Sequence, residues 1–144
     1  MFENPAKSAI DALLRSARTI AILGLSEDEA KPSYHVAKNL QKFGYRIVPV
    51  NPTASQILGE RAWPDLESAL KNAGPVDVVD VFRRPEHVAA IVDDCIRLKV
   101  PALWLQEGVV DHAAAQKARA AGIFTVMDRC IYKARNAMDA QDKG

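Results

Sequence analysis

The chain has little of what marks most specialised protein classes. No apolar run in its 144 residues approaches the ~20 that a membrane-spanning helix needs. Formal net charge is only +1, so the overall balance points to no nucleic-acid and no membrane-surface partner. Any anion site must come from local placement. The two cysteines, Cys95 and Cys130, lie in different segments and form no Cys-x-x-Cys pair, which fits a reducing compartment and two buried small hydrophobes. His35, His87 and His112 share no metal-ligand spacing, so no metal is expected. No Ser–His–Asp or Cys–His arrangement is legible, and no catalytic residue is assigned. Met1 to Arg15 includes Glu3 and Asp11 and lacks the continuous apolar core of a secretion signal, so a cytoplasmic protein is expected.

What the sequence does contain is an alternation of short apolar runs and helical stripes. The length is that of one domain, taken here as residues 1–144, and 49% hydrophobic with 26% charged residues is a globular mixture. Asn4-Pro5 predicts a helix start, with Asn4 as cap. Thr19 to Leu23 reads as a strand buried on both faces. Pro32 opens a helix with the stripe Val36, Ala37, Leu40 and Phe43, stopped at Gly44. Tyr45 to Val50 is the next strand, and residues 53–62 read as irregular, with Trp63 on a short edge strand. Pro64 to Asn72 reads as a short helix and Val76 to Phe82 as the third main strand. Pro85 opens another helix, Ala102 to Leu105 is a strand, Asp111 caps an alanine-rich helix, and Phe124 to Met127 is the last strand. The tail after Asn136 reads as polar and frayed. This alternation predicts a Rossmann-like, doubly wound parallel sheet of about five strands with helices on both faces and the first strand central.

In such sheets ligands sit beyond the carboxyl ends of the strands, where the winding reverses. That rule selects five loops. The first, Gly24 to Ser33, suits a phosphate: Gly24 permits close backbone approach, Ser26 and Ser33 carry hydroxyls, Lys31 is cationic, and the helix opening at Pro32 directs its positive end toward the loop. The pattern is not Gly-x-Gly-x-x-Gly. The second loop, Asn51-Pro52, is informative for what it lacks. Dinucleotide domains place an acidic residue there for the ribose hydroxyls, and none is present. Asn51 reads equally as a ribose or adenine contact and as a turn residue. The third loop carries Arg83 and Arg84, whose guanidinium groups suit forked bonds to phosphate. Gln106-Glu107-Gly108 and Asp128-Arg129-Cys130 complete the set, and an acid/base role for Glu107 and Asp128 has no legible support.

The stretches Ile22-Leu23-Gly24-Leu25-Ser26, Lys31-Pro32-Ser33, Val48-Pro49-Val50-Asn51-Pro52, Phe82-Arg83-Arg84-Pro85, Trp104-Leu105-Gln106-Glu107-Gly108 and Met127-Asp128-Arg129-Cys130 together resemble the small stand-alone CoA-binding domain proteins of bacteria. These are similar to the CoA-binding domain of the succinyl-CoA synthetase alpha subunit. The resemblance covers residues 10 to 136 and implies coenzyme A or an acyl-CoA as ligand. It implies a phosphate loop at Gly24, Leu25 and Ser26, a turn near the adenosine end at Asn51-Pro52, a nucleotide-lining loop at Phe82 to Pro85, and ligand contact at Leu105, Gln106 and Glu107. Two departures limit it. Thr53-Ala54-Ser55 replaces the synthetases' lysine-containing, glycine-rich stretch, so Arg83, Arg84 or Lys31 would supply the charge. The sequence also ends before the synthetases' phosphohistidine domain could begin, so ligase activity by this chain alone is not expected. The implied function is a binding module, regulatory or acting with a protein partner, and an exposed helix face leaves room for a homodimer. A domain binding NAD(P) is the alternative.

Overall fold

The computed structural model describes residues 1–143, with side chains described through residue 138. Helix α1 (Lys7–Ser16) leads into β1 (Thr19–Leu23), then α2 (Pro32–Lys42) and β2 (Arg46–Val50). A small hairpin follows, β3 (Gln56–Ile57) and β4 (Glu60–Arg61), then α3 (Leu66–Ala73) and β5 (Val78–Val81). A 3-10 turn at Pro85–His87 feeds α4 (Val88–Arg97). β6 (Ala102–Leu105), α5 (His112–Ala120), β7 (Phe124–Val126) and α6 (Ile131–Lys143) complete the chain.

Five strands form one parallel sheet in the order β2-β1-β5-β6-β7. The chain winds outward from β1 to β2, then returns to the other side of β1 at β5. The reversal therefore lies between β1 and β5. The sequence predicts the first strand at the centre, but β1 lies one place off it: only β2 lies outside β1, while β6 and β7 extend the sheet on the other side and leave β5 central. Alternation along each strand divides the core into two layers. Val79, Val81, Leu103 and Leu105 face Ala69, Val92, Cys95, Ala115 and Ala118. Ile20, Ile22, Val78 and Trp104 face Leu14, Val36, Leu40, Ile131 and Met138. Full burial of each large aliphatic side chain contributes about 1.5–3 kcal/mol, which fixes the register of every strand against slippage. Burial pushes the Cys95 thiol up to about 12, with the Asp94 charge adding to it, so this cysteine stays protonated and inert.

Three further sequence expectations are corrected. Asn4 does not cap α1. Its side chain instead donates to the Met127 carbonyl at 2.9 Å and accepts from the Met127 N–H at 2.7 Å, beside β7. The segment 53–62 is not irregular but holds the β3–β4 hairpin. Trp63 does pair at the sheet edge, as an isolated parallel bridge to Val50. The chain after Asn136 continues α6, and Met138 is buried against the second layer. Gly144 lies outside the described residues.

One residue breaks the pattern of this core. Asp80 on β5 is wholly buried, flanked in register by Ile22 and Trp104, and neither carboxylate oxygen has a hydrogen-bond partner. Burial raises its pKa well above the usual carboxylate range. The Val81 N–H pulls the other way without reaching hydrogen-bond geometry, and burial dominates. The unfolded chain ionises Asp80 from about pH 4, while the folded state holds it neutral. Stability is therefore greatest below about pH 4 on this group's account and is lost as pH rises toward the folded pKa. Asp80→Asn is expected to remove this slope, and Asp80→Val to raise stability at pH 7 by about 1–3 kcal/mol by eliminating the unsatisfied group. Urea titrations of the three proteins at pH 5 and pH 8 check both, and parallel pH slopes in wild type and Asp80→Asn would refute the assignment.

Candidate functional site at the strand reversal

The loops after β1, β2 and β5 meet where the winding reverses. Gly24 adopts φ +81°, and a Cβ built there would lie 2.2 Å from the Phe82 carbonyl oxygen and 2.9 Å from Arg83 Cδ. Its close approach is thus to the β5 loop, which brings Arg83 against the loop after β1. Leu25 is fully buried, so only its backbone faces the loop interior. Ser33 is also buried, and its hydroxyl oxygen accepts from the Ser26 N–H at 3.0 Å. Ser26 Oγ in turn accepts from the Asp28 N–H at 3.0 Å. These two serines shape the loop. The N-terminus of α2 has Lys31 at the cap position with no side-chain cap; Pro32 has no N–H and the Tyr34 and His35 N–H groups donate to the Lys31 carbonyl, so the Ser33 N–H is the donor of this first turn left open to an anion among the described residues.

Asn51 ties the second loop to the first. Its amide donates to the Leu25 carbonyl at 2.9 Å, and its oxygen accepts from Thr53 N, Thr53 Oγ1 and Ala54 N. The turn reading therefore describes its contacts in this structure, and Pro52 beside it is exposed. Between these loops lies a cleft of about 190 Å3 that brings Gly24, Pro52 and Arg83 together with Leu23, Val50, Pro64, Asp65, Leu66, Ile91 and Asp94.

Arg83 and Arg84 are exposed and have no hydrogen bond, ion pair or ring contact, unlike the other arginines among the described residues. Arg18, Arg46 and Arg129 bind carbonyls. Arg61, Arg119 and Arg135 lie over aromatic rings, and Arg97 pairs with Glu67 and Asp94. The two unpartnered arginines thus follow one another in the loop just after β5, beside the reversal.

The loops after β6 and β7 form a second group. Gln106 is buried, and its Oε1 accepts from the Ile131 N–H at 3.1 Å, capping α6. Glu107 pairs with Lys133 at 2.9 Å, and the Gly108 N–H donates to Asp128 at 2.8 Å. Asp128 itself holds φ +60°. The side chains of Gln106 and Glu107 are engaged within this group. Sequence reasoning missed Asp65, Pro64, Ile91 and Asp94 as cleft residues. Asp65 carries a detectable helix-cap signal, since it accepts from Ser68 N. Asp94 reads only as a surface helix residue.

The fold places an open crevice at the reversal of a parallel sheet, and residues 18–136 match the CoA binding domain family; the chain belongs to it. The protein YneT of Bacillus subtilis is 38% identical over 130 residues, covering 90% of this chain and 93% of YneT. An ADP-forming acetate–CoA ligase of Methanocaldococcus jannaschii is 28% identical over 78 residues, which are 54% of this chain but only 11% of that enzyme. Among solved structures, a Thermus thermophilus protein aligns with TM-score 0.85 and 32% identity, over 93% of this chain and 99% of that one.

Proposed function

We propose that this protein binds coenzyme A or an acyl-CoA across the β1–β5 reversal, as a binding module that serves an accessory or regulatory role. The observation that carries the reading is the unpartnered pair Arg83 and Arg84 beside the reversal. Cations left without an internal partner, with Arg83 packed against Gly24 and the exposed Lys31 further along the same loop as Gly24, suit a polyanionic ligand. CoA carries a pyrophosphate and a 3′-phosphate, so it needs more than one such group. The family's name and the ligase relative agree with this ligand class. Among the described residues no cluster of metal-binding side chains exists, and the module as proposed needs none.

The test is a panel of thermal midpoints with CoA, acetyl-CoA, NAD, NADPH and ATP, each at millimolar concentration. A ligand at a hundred times its Kd stabilises by about 2.7 kcal/mol, a rise of several degrees for a chain of this size. A rise with CoA species alone is expected. A rise with NADPH alone would transfer the site to a redox dinucleotide, and no rise with any ligand would refute a nucleotide site.

A further inference from the structure

The cleft at the reversal has a composition that a phosphate would not choose. Its walls are apolar, with Pro52, Pro64 and Ile91 among them, and it carries the carboxylates of Asp65 and Asp94 against the single cation of Arg83. Two carboxylates repel phosphate oxygens, whereas apolar walls suit the faces of a neutral aromatic ring. At about 190 Å3 the cleft has the volume of about six waters, enough for a flat heteroaromatic base. The carboxylates accept hydrogen bonds and do not donate them when ionised. In each, one oxygen is engaged: Asp65 Oδ1 accepts from Ser68 N at 2.7 Å, and Asp94 Oδ1 meets Arg97 at 3.3 Å. The second oxygen of each has no partner among the described residues.

We infer that this cleft holds the base of the nucleotide and that Asp94, with Asp65 beside it, reads the base's exocyclic amino group. The inference rests on the CoA reading above and divides the ligand by charge: phosphates at Arg84, Lys31 and the α2 N-terminus, the base between Pro52, Pro64 and Ile91, and Arg83 at the boundary. Asp94 thereby becomes a specificity-determining residue for adenine, although it stands on the face of α4 rather than on any of the strand-end loops.

The experiment compares CoA with its etheno analogue, in which a two-carbon bridge closes the amino group onto the adenine ring and removes its hydrogens. Calorimetric titration of the wild-type protein and of Asp94→Ala with both ligands gives four affinities. Asp94→Ala is expected to lose about tenfold in affinity for CoA, within the range for a hydrogen bond to a charged group, and to bind the analogue as the wild type does. Asp65→Asn keeps the helix cap while removing the charge, and should lose less. A loss for CoA no larger than the loss for the analogue overturns the inference while leaving CoA binding intact. Failure of the wild-type protein to bind CoA at all overturns both readings. Asp94 lies on a helix surface, and a melting curve for each variant separates a binding loss from a folding loss.

Discussion

Gly24→Ala is expected to lower the thermal midpoint by about 6–15 °C, corresponding to about 2–5 kcal/mol. Two costs add. A residue with a Cβ at φ +81° loses about 1–2 kcal/mol to left-handed backbone strain. The new carbon would also stand 2.2 Å from the Phe82 carbonyl oxygen, which must move. Phe82 is not free to retreat, because its N–H is bonded to the Leu23 carbonyl at 2.8 Å, the last rung between β1 and β5. Relief therefore means opening the sheet at its reversal, and backbone displacement of this kind costs about 1–3 kcal/mol. Differential scanning calorimetry measures the effect, and a midpoint within two or three degrees of wild type would show that the approach of the two loops is not tight.

The second large effect concerns binding alone. The double variant Arg83→Ala/Arg84→Ala should weaken CoA binding by about 100-fold or more, since two charge-assisted contacts at about 1.5 kcal/mol each are lost. Its melting temperature should stay close to wild type, because neither side chain has an internal partner whose loss would be felt. Lysine at both positions should fall between, keeping charge while losing the forked geometry. Affinity by calorimetry at two salt concentrations decides the matter: unchanged affinity in the alanine variant removes the proposed phosphate role, and an unchanged salt dependence would say the same.

The strands were legible because their information is local. Thr19–Leu23 and Ala102–Leu105 are continuous apolar runs bounded by turn residues, and both have the predicted limits. The helix cap at Asp111 was equally local, since it accepts from Ala114 N. What escaped depends on partners distant in sequence. Helix α6 is capped by Gln106, from another strand, so no cap residue precedes Ile131 to announce it. The β3–β4 hairpin turns on Leu58 and Gly59, both with positive φ, in a two-residue loop where Asn-Gly would be the usual signal. Asn4 looked like a helix cap because its chemistry is the same whether the N–H it accepts from is two or three residues away or, as here, on Met127. The site divides in the same way. The loops bearing Gly24, Asn51 and Arg83 follow from strand ends and fold class. Asp65 and Asp94 enter only through the packing of α3 and α4 around one cleft.

The contacts of Asn4 have a consequence for how copies of this protein, or a partner, can meet it. Beside β7, Asn4 engages both backbone groups of Met127. At the opposite edge, Trp63 takes the place of a further strand beside β2, donating to the Pro49 carbonyl at 3.0 Å and accepting from the Asn51 N–H at 2.8 Å. The sheet thus meets its own hydrogen-bonding demand at the site end of both outer strands. An incoming extended peptide would have to displace a bond already made before gaining one. Growth of the sheet from molecule to molecule is disfavoured at these two places, and complexes are directed to the helical faces, away from the crevice where the nucleotide is proposed to lie.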